Sequence, residues 1–214
     1  MSSRKTMSRW TSTAATASVL TTCAALVLTA GCGTQTVGGT APGGWPTLKT
    51  PAVTVAYPPA FVPQGDARRS AYNAAAATLS EGGQDIGMIT VQLDFTQADS
   101  AEEAAIGAEA GIALGSTPGK QTDIQVAGPQ GPEEARRIDF TFTGKATGKA
   151  TGTGSGKGSG KGSGSGTAQD PRINGVIIAG LDSAEKSYAV RIDAAQGKLS
   201  AGDLQKIIDS ITVK

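Results

Sequence analysis

The chain has 214 residues, with 19 basic and 18 acidic side chains, a formal net charge of +1 and only 4% aromatic residues. It contains no histidine and two cysteines, Cys23 and Cys32. Without histidine, the Ser-His-Asp and Cys-His nucleophiles and the commonest zinc ligand are excluded. We therefore predict a protein that is not an enzyme, with no catalytic residue, no metal site and no cofactor.

The first 31 residues have the order of a secretory signal peptide. Basic residues come first (Arg4, Lys5 and Arg9), and a stretch without any charge follows over residues 14–30. This stretch is rich in threonine and too short and weakly apolar to be a transmembrane helix. Removal of residues 1–31 leaves 16 basic and 18 acidic residues, so the charge balance predicts no nucleic-acid partner.

The sequence Leu-Thr-Ala-Gly-Cys at residues 28–32 resembles the lipobox of bacterial lipoproteins. In that family the cysteine thiol receives a diacylglycerol. The resemblance therefore implies that Cys32 is lipidated and anchors the protein to the extracytoplasmic face of the cell membrane. Two acyl chains hold a protein stably at a bilayer. The alternative is an ordinary signal peptide that is cut near Ala30 and releases a secreted protein.

Residues 32–45 are rich in glycine, proline and threonine and carry no charge. Such a composition is typical of a flexible tether, and we predict one between the lipid and a single domain at residues 46–214. Trp45 ends the tether. Its side chain could pack on the domain or lie at the membrane interface.

The domain opens with a predicted strand at residues 52–57. Residues 70–79 include four consecutive alanines, a composition that suits a helix. The pair Gly82-Gly83 that follows is typical of a tight turn, and it favours a hairpin instead. The second strand of this hairpin continues into an alternating apolar pattern at residues 89–95. Helix and strand both remain open for residues 70–79.

A predicted helix begins after Ser100, because Ser100 and Glu103 have the spacing of a capping box. A short strand at residues 123–127 and a strictly alternating strand at 137–143 follow. Later in the chain we predict strands at 173–179 and 188–193. A second capping serine, Ser200, then precedes apolar residues with helical spacing: Leu204, Ile207, Ile208 and Ile211.

Residues 144–168 form an insertion between two of these strands, with the sequence GKATGKATGTGSGKGSGKGSGSGTA. Its composition predicts a disordered loop within an enlarged hairpin. The alternate spacing of its glycines excludes a phosphate-binding loop. Its four lysines are candidate contacts to an anionic surface, but their spacing among glycines and serines favours a solubilising spacer. These lysines are Lys145, Lys149, Lys157 and Lys161.

Four stretches together resemble the PsbP-like fold of small bacterial lipoproteins of the LpqN type. They are VAYPPAF at 55–61, ITVQLDF with the SAEEAA helix start at 89–105, ARRIDFTF at 135–142, and SYAVRIDA with LQKIIDSI at 187–211. The resemblance implies an α+β fold in which a single antiparallel sheet is flanked by helices, an α/β/α sandwich. It also implies a non-enzymatic binding or accessory role and offers no catalytic residue.

Three functions follow as hypotheses. The first is a membrane-anchored module that binds an unknown protein or another component of the cell envelope. The alternative is a lipid or glycolipid carrier, which requires an apolar cavity. A hydrolase is less favoured, because no nucleophile and base can be paired. The scattered acidic residues, Asp139 and Asp193 among them, are interpreted as solvated surface and helix caps.

Overall fold

A computed structural model describes residues 39–112, 115–144, 146 and 170–214. These residues belong to one compact unit, Thr34–Lys214. The predicted signal peptide and Cys32 lie outside the described residues, as do Lys145, Lys149, Lys157 and Lys161. The predictions made for them therefore stay predictions.

Ten strands and two helices are formed by the described residues. In chain order they are β1 (Thr47–Lys49), β2 (Val53–Ala56), β3 (Val62–Pro63), β4 (Ala75–Glu81), β5 (Gln84–Leu93), α1 (Ala101–Glu109), β6 (Thr117–Ala127), β7 (Pro132–Thr143), β8 (Arg172–Leu181), β9 (Ser187–Ala195), α2 (Ala201–Asp209) and β10 (Thr212–Val213).

The described strands pair into one sheet with the order β1-β2-β10-β6-β7-β8-β9-β5-β4-β3. All neighbours are antiparallel except β10 and β6, which are parallel. The sheet is strongly curved, because β1 contacts β4 although the two strands lie near opposite ends of this order. The result is a nearly closed, barrel-like sheet with an inner and an outer face.

The inner face carries the main hydrophobic core. Strands β8 and β9 contribute alternate residues to it, and α2 adds Ile207 and Ile208, with Ile211 following directly. The end of α2 is joined to β2 through Ser210, whose Oγ accepts from Ala56 N (2.9 Å) and donates to Ile207 O (2.7 Å). The apolar stripe predicted for this helix therefore lies inside the curved sheet.

The outer face carries a second, smaller cluster. Helix α1 lies across β7, β8 and β9 and buries Ala104, Ala105 and Ala108 there. Its small side chains let the helix approach the sheet closely, while Ile106 points outward with 62% of its surface exposed.

The predicted α/β/α sandwich is wrong. A flat ten-stranded sheet would be about 43 Å wide, whereas a helix of nine residues is only about 13 Å long. The two described helices therefore cannot form layers over the sheet, and α1 covers three strands only. The long strands twist and curl instead, and the inner face is buried mainly by the sheet itself. The sheet is also not purely antiparallel.

The predictions for individual turns and helix starts agree with the structure. The hairpin favoured for residues 70–84 is confirmed, since β4 pairs with β5 across Gly82 (φ 59°) and Gly83 (φ 77°). Two positive φ angles are what a type I′ turn requires, and glycine adopts them without strain. Both capping predictions are confirmed as well. Ser100 Oγ accepts from Glu103 N (3.2 Å), and Ser200 Oγ accepts from Asp203 N (3.0 Å).

The insertion joins neighbouring antiparallel strands, as predicted. The last residue of β7, Thr143, pairs with the first residue of β8, Arg172. Beyond this pair Gly144 N donates to Pro171 O (3.1 Å). The connection is thus an enlarged hairpin loop, and most of its residues lie outside the described ones.

Candidate functional site

The most unusual chemistry in the described residues is a buried ion pair on the outer face, at β9. Arg191 Nε donates to Asp193 Oδ2 at 2.8 Å. The Asp193 side chain is fully buried and the Arg191 side chain is 11% exposed. We call Arg191, Asp193, Thr90, Phe140 and Phe142 the Arg191 cluster.

Aromatic rings cover the guanidinium group. The Cζ atom of Arg191 lies 5.0 Å from the ring centroid of Phe140 and 6.0 Å from that of Phe142. The two rings are stacked, with centroids 6.0 Å apart and an angle of 15° between their planes. Cation–π contacts of this kind gain strength where the cation is removed from water.

Strand register explains how the Arg191 cluster forms. Gly175 on β8 pairs with Phe140 on β7 and with Asp193 on β9. A Cβ atom at position 175 would collide with the Phe140 ring. Because Gly175 has no side chain, the ring can lie flat across β8 and reach the guanidinium group.

Burial raises the pKa of the Asp193 carboxyl, and the charge and hydrogen bond of Arg191 act in the opposite direction. Among the described residues, Asp193 Oδ1 has no hydrogen-bond partner, and neither does the buried Thr90 Oγ1 on the neighbouring strand. Thr90 is directly opposite Arg191 in the register of β5 and β9. The ion pair is therefore only partly compensated for its loss of water.

This arrangement holds charge but offers no acid–base pair. A second carboxylate of this region, the half-buried Asp139, pairs with Arg137 at 2.8 Å. Asp139 is opposite Val176, which belongs to the inner core, so it lies on the inner face while Asp193 lies on the outer face. No group of three or more potential metal ligands occurs within the described ranges.

The Arg191 cluster was not predicted from the sequence. Asp193 alternates with apolar residues, which is the pattern of a strand with one solvent-exposed face, and this pattern predicts a solvated carboxylate. Strand β9 is instead buried on both faces, with Ala189, Ala194 and Ala195 also buried. The small residues flanking the charged pair are the signal that could have indicated two-sided burial. Phe140 and Tyr188 belong to the core, and Phe142 is partly buried beside Phe140.

The four candidate lysines of the insertion lie outside the described residues, but one neighbouring residue does not. Residue 146, inside the predicted disordered insertion, is described: Ala146 is buried against Ile173 and Ala195. At the N-terminal side of the domain, residues 39–45 of the predicted tether contact the fold. Thr212 Oγ1 donates to Gly39 O (3.3 Å), and Lys206 Nζ lies 5.6 Å from the Trp45 ring centroid.

Within the described ranges no helix combines the length and the apolar character needed to cross a membrane. No protein-family model matches the chain, and no curated protein matches it significantly. Among solved structures the chain is similar to the Ran-binding protein Mog1p of Saccharomyces cerevisiae. The similarity has a TM-score of 0.45 and 11% sequence identity, and it covers 78% of this chain and 95% of that one.

Proposed function

We propose that this protein is a membrane-anchored, extracytoplasmic lipoprotein whose domain is a non-enzymatic binding or accessory module of the cell envelope. The observation that carries the proposal is the N-terminal order of basic residues, an uncharged stretch and Leu-Thr-Ala-Gly-Cys at 28–32. Cys32 is the residue that receives the lipid. No residue takes a catalytic role.

Two features support the non-enzymatic part of the proposal. The chain has no histidine. The buried carboxylate Asp193 is engaged by Arg191, and Asp139 faces the opposite side of the sheet. Paired carboxylates that act together on one bond must face a common cleft at a separation of about 5 to 10 Å.

The packing of α2 favours a binding module over a lipid carrier. A carrier needs an apolar cavity that can accept acyl chains. The inner face of the curved sheet is the natural place for one, but Ile207, Ile208 and Ile211 are buried there, in the same core cluster as residues of β2, β8 and β9. Partner binding is therefore expected at the surface of the domain.

The lipid anchor is tested by expressing the full chain in a lipoprotein-processing bacterium and measuring the intact mass of the mature protein. We expect a chain that begins at Cys32, carries a diacylglycerol and fractionates with membranes. Cys32→Ser should leave the membrane fraction. Cys23→Ser is the matched control, because it changes the other cysteine and should keep the anchor. An unmodified Cys32, or membrane-bound Cys32→Ser protein, would contradict the proposal.

Lipid extraction of the purified protein then separates the two binding hypotheses. A binding module should release no lipid, because the diacylglycerol on Cys32 stays covalently attached during extraction. A stoichiometric amount of a second lipid would favour the carrier instead.

A further inference from the structure

The predicted tether contacts the domain at Gly39. Gly39 lies on the outer face of β10 and β6, where its carbonyl oxygen accepts from Thr212 Oγ1. A Cβ atom at Gly39 would lie 2.7 Å from Ala127 Cβ and would collide with Thr212 Oγ1. This close approach leaves only residues 33–38 between the domain and Cys32.

Gly39 therefore marks one end of the sheet, which we call the Ala127 end. Strand β6 ends there at Ala127. Lys214 also lies there, since its backbone N donates to Ala52 O (2.8 Å) and its carbonyl oxygen accepts from Ser183 Oγ (2.6 Å). The β1–β2, β6–β7 and β8–β9 connections thus share this end.

The insertion emerges from the other end of the same strands, which we call the Gly144 end. Strand β7 starts at Pro132, which pairs with Ala127, and it ends at Thr143 beside Arg172. Eleven residue steps at about 3.3 Å per step separate the two ends by about 36 Å along the strand.

Two lengths, the reach of the tether and the length of the strands, exclude an inverted domain. The seven steps from Cys32 to Gly39 span at most about 25 Å when fully extended. The Gly144 end is about 36 Å from Gly39. A domain turned upside down would need Gly39 at least that far from the bilayer, which the tether does not reach.

We propose that the domain is held with its Ala127 end towards the membrane and its Gly144 end towards the outside. This inference rests on the proposed lipid anchor. The lipid surface is the partner of the Ala127 end, and the tether keeps that end within about 25 Å of it. In this proposal the tether, and not charge, orients the domain, and two lysines at this end already have partners: Lys186 pairs with Asp94 (3.5 Å), and Lys214 Nζ donates to Thr50 O (3.0 Å).

The experiment compares two exposed glutamines at opposite ends. Gln130 lies in the β6–β7 turn, and Gln196 follows β9 and is bonded through its backbone N to Arg172 O (2.9 Å). Lipidation blocks Cys32, so Gln130→Cys and Gln196→Cys each provide a single reactive thiol in the mature chain. A donor fluorophore is attached to each, and the lipidated proteins are reconstituted in vesicles that contain an acceptor lipid.

We expect energy transfer at least about twofold more efficient from position 130 than from position 196, given the difference in height along the strands. The ratio should not change between low and high salt. Equal transfer, or more efficient transfer from position 196, would overturn the orientation. Flotation of the same proteins with vesicles reports on the anchor separately: protein that does not float would contradict the lipid anchor itself.

A variant with a longer tether tests whether the short tether is the cause of the orientation. Twenty glycine and serine residues inserted after Gly38 would raise the reach to about 97 Å, enough for any orientation. The ratio between the two positions should then fall towards one. An unchanged ratio would contradict the role of the short tether.

Discussion

The inner and outer faces of the sheet are both buried at β8 and β9, but they are built differently. The inner face packs large aliphatic side chains and Tyr188 against α2. The outer face packs the alanines of α1 and, beside them, a charged pair under two aromatic rings. Each strand supplies both faces with alternate residues, as Val176 and Ile178 on one side and Ile177 and Ala179 on the other.

This difference separates two contributions to the fold. Buried volume on the inner face stabilises the closed sheet through the hydrophobic effect. The Arg191 cluster adds little net stability while it is intact, but its disruption is costly, because one charge would remain buried without the other. The inner face should therefore respond to lost volume and the outer face to lost charge.

The largest effect is expected from Ile208→Ala on the inner face. Ile208 is 2% exposed, and its truncation should lower the free energy of unfolding by about 4 kcal/mol. The measurement is urea unfolding followed by circular dichroism. Ile106→Ala, on the outward side of α1, is the matched control and should change stability by less than about 0.5 kcal/mol. Similar losses for both variants would mean that α2 does not contribute to the core as described.

The second-largest effect is expected from Arg191→Gln. It should lower the free energy of unfolding by about 3 kcal/mol at pH 7, because the Asp193 carboxylate would lose its counter-charge. Arg136→Gln, which removes surface contacts to Glu102 and Asp123, should cost about 1 kcal/mol or less. Equal costs for the two variants would argue against a buried pair.

The pH dependence has a definite sign. Burial raises the pKa of Asp193 in the folded state. Its contribution to stability is therefore fully present below the pKa that the carboxyl has in the unfolded chain, and it is lost as the pH rises through the folded-state pKa. Asp193→Asn should remove the part of the pH dependence that comes from Asp193, and Arg191→Gln should enlarge it. Unfolding measured from pH 4 to pH 8 checks both directions.

Gly175→Ala tests whether the Phe140 ring needs the space above Gly175. The added methyl group would push the ring away from Arg191, and we expect a loss of about 2 kcal/mol from overpacking. Gly43→Ala is the control, since a Cβ atom there meets no neighbour within 4 Å. A stability change no larger than in the control would show that the ring has room to move.

The smallest effects are expected at the two helix caps. Ser100→Ala and Ser200→Ala each remove one bond to a backbone N–H and should cost about 1 kcal/mol. Threonine at either position should restore most of the loss. A much larger effect at Ser200 than at Ser100 would indicate that the start of α2 is coupled to the inner core.

Elements that depend on a few neighbouring residues were predictable. The turn at Gly82-Gly83, the caps at Ser100 and Ser200 and the alternation over 188–193 each express chemistry within about four residues. The predicted strand at 123–127 was too short, because β6 begins at Thr117 in a stretch that is polar and largely exposed. Pairing with β7, and not local propensity, extends this strand.

Sequence alone thus determined the helix starts, the hairpin at 75–93 and the enlarged hairpin that contains the insertion. It also contains the Leu-Thr-Ala-Gly-Cys pattern at 28–32 on which the proposed anchor depends. Only the tertiary structure decided the curvature of the sheet, the burial of Asp193 and the place where Gly39 meets the fold. Each of these depends on strands that are distant in the chain, such as β1 with β4 or β10 with β6. No local pattern encodes how far a sheet curls or which polar residue its neighbours enclose.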